Sequence, residues 1–137
     1  MCKCSYSPLK VGSVAQLTKV FSDSDVRSFA DLTGDRNPLH LDEDYAVHSR
    51  FGGRIVHGML PVGLISAVLG TLLPGPGTIY LSQEVSFVAP IFVGERVTAS
   101  VQVIEIAATG SNIRLRTCCI KENGTLAVDG VAVVKAP

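Results

Sequence analysis

The chain has 137 residues, 47% of them hydrophobic and 18% charged. That is enough apolar material for the core of one ordinary domain, and it argues against a long disordered tract. Twelve basic and twelve acidic side chains cancel to a formal net charge of zero, which removes the electrostatic basis for gripping nucleic acid or an anionic membrane surface.

Residues 1–10 read as a flexible segment ahead of a single domain spanning 11–137. No continuous apolar stretch at the N-terminus suggests a secretory signal. Lys3, Lys10 and Lys19, with several serines and no acid through residue 22, give a weak organelle-targeting composition, and a flexible start is the preferred reading. Cys2, Cys4, Cys118 and Cys119 lack the spacing of a zinc knuckle or a redox Cys-x-x-Cys, so reduced, structurally neutral thiols are expected.

Partial alternation at Val14, Gln16, Thr18 and Val20 predicts a first strand over 14–21. Ser22 then caps a helix through a near capping box with Asp25, and Val26, Phe29, Ala30 and Thr33 mark its inner face. Gly34 stops that helix, and Pro38 is expected to keep the following residues extended. A short second helix is expected over 42–48, and a loop around Gly52 and Gly53. The segment 57–73 is apolar on nearly every face, which predicts a helix enclosed by protein, with Pro61 tolerated in its first turn. It is too short to span a bilayer. Pro74-Gly75-Pro76-Gly77 ends it. Strands rich in Val, Ile and Thr are expected over 78–88, 95–107, 112–121 and 125–135, the last three joined by turns at Gly110 and at Glu122-Asn123-Gly124. The fold class is therefore α+β, an antiparallel sheet wrapped around one long central helix.

Chemistry concentrates in Gly34-Asp35-Arg36-Asn37-Pro38-Leu39-His40. A proline-stiffened turn lets Asp35 and His40 converge on one small volume, where imidazole and carboxylate together suit activation of water. Asn37 can hold the turn through its amide, and Pro38 fixes φ at the bend. Taken alone, the pair reads first as a helix-capping Asp beside a satisfied surface His, and only second as a catalytic pair. Gly58, at the expected start of the central helix, is either a backbone donor to a ligand oxygen or a tight packing glycine. His57 reads as structural before catalytic. Ser66 either bonds its own helix carbonyl or reaches a buried ligand. With no His-x-His or His-Glu-x-x-His pattern among His40, His48 and His57, no metal site is expected. Gly-rich nucleotide fingerprints and a Gly-x-Ser-x-Gly elbow are also missing.

The run from Phe29 to His40, followed by Ala46, resembles the signature of the MaoC-like dehydratases, the group of R-specific enoyl-CoA hydratases and hydroxyacyl-thioester dehydratases of type 2. The likeness extends to Ile55-Val56-His57-Gly58-Met59-Leu60, Pro74 to Gly77, Tyr80 to Phe87, Pro90 and Val93-Gly94-Glu95, and covers about Val11 to Pro137. It implies a hot-dog fold, usually paired as a homodimer. It also implies a catalytic dyad of Asp35 and His40, Gly58 as the N–H donor to the thioester carbonyl, and Ser66 assisting nearby. Asn37, Pro38, His57 and Met59 support the motif or touch substrate. The implied reaction is reversible hydration of a trans-2-enoyl thioester, carried by coenzyme A or acyl carrier protein, to the (R)-3-hydroxyacyl thioester, without cofactor or metal. A non-catalytic acyl-thioester-binding module and a thioesterase on the same fold are the alternatives. Neither nucleic acid nor membrane insertion is expected, and the expected compartment is the mitochondrial matrix in a eukaryote or otherwise the cytoplasm.

Overall fold

The computed structural model describes residues 9–109 and 111–137. Cys2, Cys4, most of the expected flexible segment 1–10 and the turn residue Gly110 lie outside the described residues. The elements run β1 (Val14–Val20), α1 (Asp23–Thr33), α2 (Pro38–Leu41), α3 (Glu43–Val47), α4 (Met59–Thr71), β2 (Ile79–Phe87), β3 (Arg96–Ile106), β4 (Asn112–Lys121) and β5 (Leu126–Lys135).

The five strands form one sheet in the order β1-β3-β4-β5-β2, with every neighbouring pair antiparallel. Strict alternation in β3 and β4 puts Val97, Ala99, Val101 and Val103 beside Ile113, Leu115 and Cys119 on the inner face. Ala127, Val128, Ala132 and Val134 of β5 extend that face. Ile65, Val68 and Leu69 of α4 belong to the same core cluster, and burial of each such side chain contributes about 1.5–3 kcal/mol. This single sheet with its helix has the hot-dog architecture.

The first helix follows the sequence at both ends, and Val26 and Ala30 of its expected inner face are buried, whereas Thr33 is exposed. Ser22 and Asp25 complete a reciprocal capping box, and Gly34 ends the helix at φ 81°, a left-handed conformation that a residue without Cβ adopts freely. Other expectations need correction. Pro38 does not keep the next residues extended but opens the short helix α2, because its fixed φ suits a first helical position and Asn37 supplies the N-cap oxygen. The helix expected over 42–48 is the shorter α3, capped by Asp42. Nor is α4 enclosed on every face: Met59, Gly63 and Ser66, spaced by four and three residues, are exposed. That stripe carries no charge, so the sequence pattern concealed it. Among the described residues, no helix is long and apolar enough to cross a membrane.

Cys118 and Cys119 are free thiols. Burial pushes Cys119 up to about 12 and raises Cys118 as well, so both resist becoming reactive thiolates.

Candidate active site

Asp35 and His40 come together because the chain between α1 and α2 is tied at each step. The Thr33 hydroxyl donates to the Phe29 carbonyl and accepts the Asp35 N–H at 3.2 Å. Asp35 Oδ1 accepts the Asn37 N–H at 3.3 Å, and Asn37 Oδ1 accepts the Leu39 N–H at 3.1 Å. Such side-chain-to-backbone bonds are what make Asp and Asn good turn residues. The turn delivers an exposed Asp35 carboxylate next to the buried ring of His40.

The far side of the site is the strap 54–56. Ile55 donates its N–H to Leu39 O, while Val56 N–H reaches Ile91 O at 2.8 Å and Val93 N–H reaches Arg54 O. Held in this way, the Ile55 carbonyl accepts a hydrogen bond from His40 Nδ1 at 2.8 Å. A carbonyl oxygen only accepts, so the proton sits on Nδ1 and Nε2 keeps its lone pair. Burial pushes the His40 pKa below the usual imidazole value; nearby His57 and Arg54 add to this, against the opposing Ile55 bond and the Asp35 charge. His40 is thus built to stand as a neutral acceptor.

Arg54 was passed over by the sequence reading as part of a loop. Its Nε donates to the His40 carbonyl at 2.7 Å, and its guanidinium also bonds Asp23 in the first turn of α1. The same Arg54 contact, followed by that of Arg27, holds the Asp23 carboxyl below its ordinary value. Nothing in the local pattern distinguishes this arginine from a surface one; only the return of the strap against α1 and α2 does.

His57 is 1% exposed, and its ring lies between those of Phe29 and His40, at centroid distances of 4.7 and 4.0 Å. Its Nε2 donates to the Asp35 backbone carbonyl at 3.0 Å. Asp35, His40 and His57 each offer one ligating atom, all within 4.8 Å of one another. Each ring spends one nitrogen on a carbonyl oxygen, so His40 Nε2 and His57 Nδ1 are the nitrogens that keep a lone pair.

His40, Ile55, Val56, Gly58 and Met59 border a mainly apolar cavity of about 360 Å3, with Pro61, Phe87, Ala89, Ile91 and Val128 forming the rest of its wall. Gly58 stands at the N-cap of α4, where helix-start N–H groups have no intrahelical partner. Its packing reading also has substance: a Cβ built there would lie 2.7 Å from Phe87 Cε1. The glycine therefore admits the Phe87 ring at the cavity mouth. Phe87, Ala89, Ile91 and Val128 escaped the site reading because the end of β2 and the strands after it look like ordinary sheet. Ser66 is exposed on α4 and is not among the residues lining this cavity.

A free imidazole nitrogen on a ring that lines an apolar cavity, a carboxylate within 4.8 Å of that ring and a helix start on the cavity wall can activate water against an apolar, carbonyl-bearing substrate. The comparisons agree with this chemistry. An (R)-specific enoyl-CoA hydratase of Aeromonas caviae is 47% identical to the chain, over 97% of this chain and 99% of that protein. A 3-hydroxybutyryl-CoA dehydratase of Methylorubrum extorquens is 46% identical, over 96% and 83%. The solved structure of an (R)-hydratase from A. caviae superposes with a TM-score of 0.92 at 47% identity, covering 94% of this chain and 98% of that one. Residues 9–121 match the MaoC like domain, and the chain belongs to that family.

Proposed function

We propose that this protein is a hydro-lyase that reversibly adds water to trans-2-enoyl thioesters to give (R)-3-hydroxyacyl thioesters. The observation that supports this most is the His40 Nδ1 bond to Ile55, which leaves Nε2 as a base on a ring that lines the cavity and has the Asp35 carboxylate within 4.8 Å. A binding module would have no chemical need for that arrangement.

In the hydration direction, His40 Nε2 removes a proton from water as the oxygen bonds to the β-carbon. That proton passes from His40 through the Asp35 carboxylate to the α-carbon. Both groups end as they began, and dehydration reverses every transfer. Exchanging the two roles preserves the same balance; the fixed His40 tautomer favours His40 as the base. Gly58 N–H polarises the thioester carbonyl, so charge developing on that oxygen meets a preorganised dipole. Asn37 and Pro38 hold the turn, while Met59 and Phe87 wall the acyl group. Ser66 shares the exposed stripe with Met59, about 10 Å further along α4, and is assigned to the substrate where it leaves the cavity along this face. No metal or organic cofactor enters the scheme.

The working form in this reading is a homodimer, with residues 11–137 as the folding unit. The edge strand β2 exposes Ile79, Leu81 and Phe87, and Met59 is exposed beside the cavity; a second copy would cover such apolar surface and the open strand edge. Both carriers, coenzyme A and acyl carrier protein, present the same thioester to the dyad. The compartment follows the host, the mitochondrial matrix in a eukaryote and the cytoplasm in a bacterium.

Incubation with crotonyl-CoA, following enoyl absorbance and free thiol together, tests the reading. Hydration removes the enoyl signal without releasing thiol. Thiol release would instead mark a thioesterase, and no change in either signal would mark a binding module.

A further inference from the structure

The hydration scheme uses His40, Asp35 and Gly58 but leaves unexplained the most deeply buried polar side chain at the site. His57 is 1% exposed, lies at the entry to α4, and makes its hydrogen bond to the backbone of Asp35, 22 residues earlier in the chain. Since the Asp35 carbonyl can only accept, Nε2 of His57 carries the proton. Nδ1 is then a buried lone pair with no hydrogen-bond partner among the described residues. An imidazole serving only to fill space would be poorly chosen, because an apolar ring fills the same volume without burying an unpaired nitrogen.

We propose that His57 is a positioning residue for the hydration, holding Asp35 through its Nε2–H bond to the Asp35 carbonyl and backing His40 through ring contact. This inference rests on the hydro-lyase reading above. His57 touches both members of the dyad at once: the Asp35 backbone at 3.0 Å and the His40 ring at a centroid distance of 4.0 Å, tilted by 34°. The Phe29 ring packs against it as well, at a centroid distance of 4.7 Å. The Asp35 carboxylate is exposed and its bond, from the Asn37 N–H, lies within its own turn, so its direction follows the backbone of that turn. Thr33 holds that backbone at the N–H and His57 holds it at the carbonyl. Releasing the carbonyl would let the carboxylate drift relative to His40 Nε2 while the cavity that binds the acyl group stays in place. The expected effect therefore falls on turnover and not on binding, since a displacement of about 1 Å at the reacting centre can cost about 100-fold in rate.

The test compares His57→Phe and His57→Gln in steady-state hydration of crotonyl-CoA. Phe keeps an aromatic ring between Phe29 and His40 but cannot donate. Gln loses the ring but can place an amide N–H near the position of Nε2. The inference expects His57→Phe to lower kcat by about 10- to 100-fold with KM within about threefold, and His57→Gln to recover at least about tenfold of that loss. A residue that only packs would give the opposite order, with Phe near the parent and Gln impaired, and that result overturns the proposal. Unchanged kcat in both variants overturns it as well. Long-range 1H–15N correlation NMR on the unsubstituted protein provides a check that needs neither variant to fold: His57 should show the Nε2–H tautomer, and an Nδ1–H tautomer contradicts the proposal. Asp35→Asn and His40→Ala serve as controls. If these lose turnover while His57→Phe does not, the positioning role fails and the dyad stands; if these keep turnover, the dyad reading itself has failed.

Discussion

His40 Nδ1 lies 2.8 Å from the carbonyl oxygen of Ile55, and this contact across 15 residues decides which ring nitrogen is left to do chemistry. Ile55 is fixed in turn by its own N–H bond to Leu39 O, so the residue preceding His40 and the acceptor of its ring proton are tied together. The base is thereby set by backbone atoms, which substitutions at the cavity wall leave untouched.

The dyad should respond as a unit. Asp35→Asn and His40→Ala are each expected to lower kcat by about 10²- to 10⁴-fold with the fold intact, and the double variant should be little worse than either single one. Circular dichroism with steady-state rates checks this; near-normal turnover in both single variants would remove the chemistry from these residues.

The pH dependence has a defined sign. Burial, then the presence of His57 and Arg54, lowers the His40 pKa, so the neutral base persists below the ordinary imidazole value of about 6.5. kcat/KM should hold from pH 8 to about 6.5 and fall only below that, as His40 takes up a proton. The same shift acts on stability: below about pH 6.5 the unfolded chain binds this proton more readily than the folded one, so the His40 contribution makes stability fall as pH falls. An acid limb centred above about 6.5 would contradict the neutral, buried His40.

Much of this was legible in the sequence for physical reasons that can be named. The capping box of Ser22 and Asp25, the stop at Gly34 and the richness of β3 and β4 in Val, Ile and Thr are local signals, and the structure follows them. Pro38 misled because the steric restriction it imposes acts on the residue before it: Asn37 is the one held away from helix, at ψ 124°, while Pro38 begins α2. The face of α4 could not be read because Met59, Gly63 and Ser66 supply no polar stripe against its apolar one. Arg54 and Ile55 were invisible as site residues since their contribution is to reach His40 from a loop, one through its guanidinium and the other through a backbone carbonyl. Tertiary contacts of that kind leave no local pattern.

Gly58 should tolerate alanine in the fold but not at the site. Its φ of −56° is open to any residue, so the cost of Gly58→Ala comes from the added methyl meeting the exposed ring of Phe87. Thermal unfolding should shift little, because that ring borders the cavity and can yield into it, while kcat/KM falls by about 10- to 100-fold as the cavity mouth changes shape. Adding Phe87→Ala should restore part of the loss. A Gly58→Ala protein with unaltered kinetics would show that the close approach does not matter.

Dimer formation is expected from the apolar residues exposed on β2 and at Met59. Light scattering should give twice the chain mass at micromolar concentration, and a fully active, stable monomer would rule the pairing out.

The central claim is that water and proton reach one face of the enoyl group from Asp35 and His40. Hydration of crotonyl-CoA in deuterated water, with chiral analysis of the 3-hydroxyacyl product and NMR of its α-position, tests it most directly. The account predicts the R configuration alone, with deuterium added syn to the new hydroxyl, at a rate unchanged by a chelator. An S product, or deuterium added anti, would contradict it.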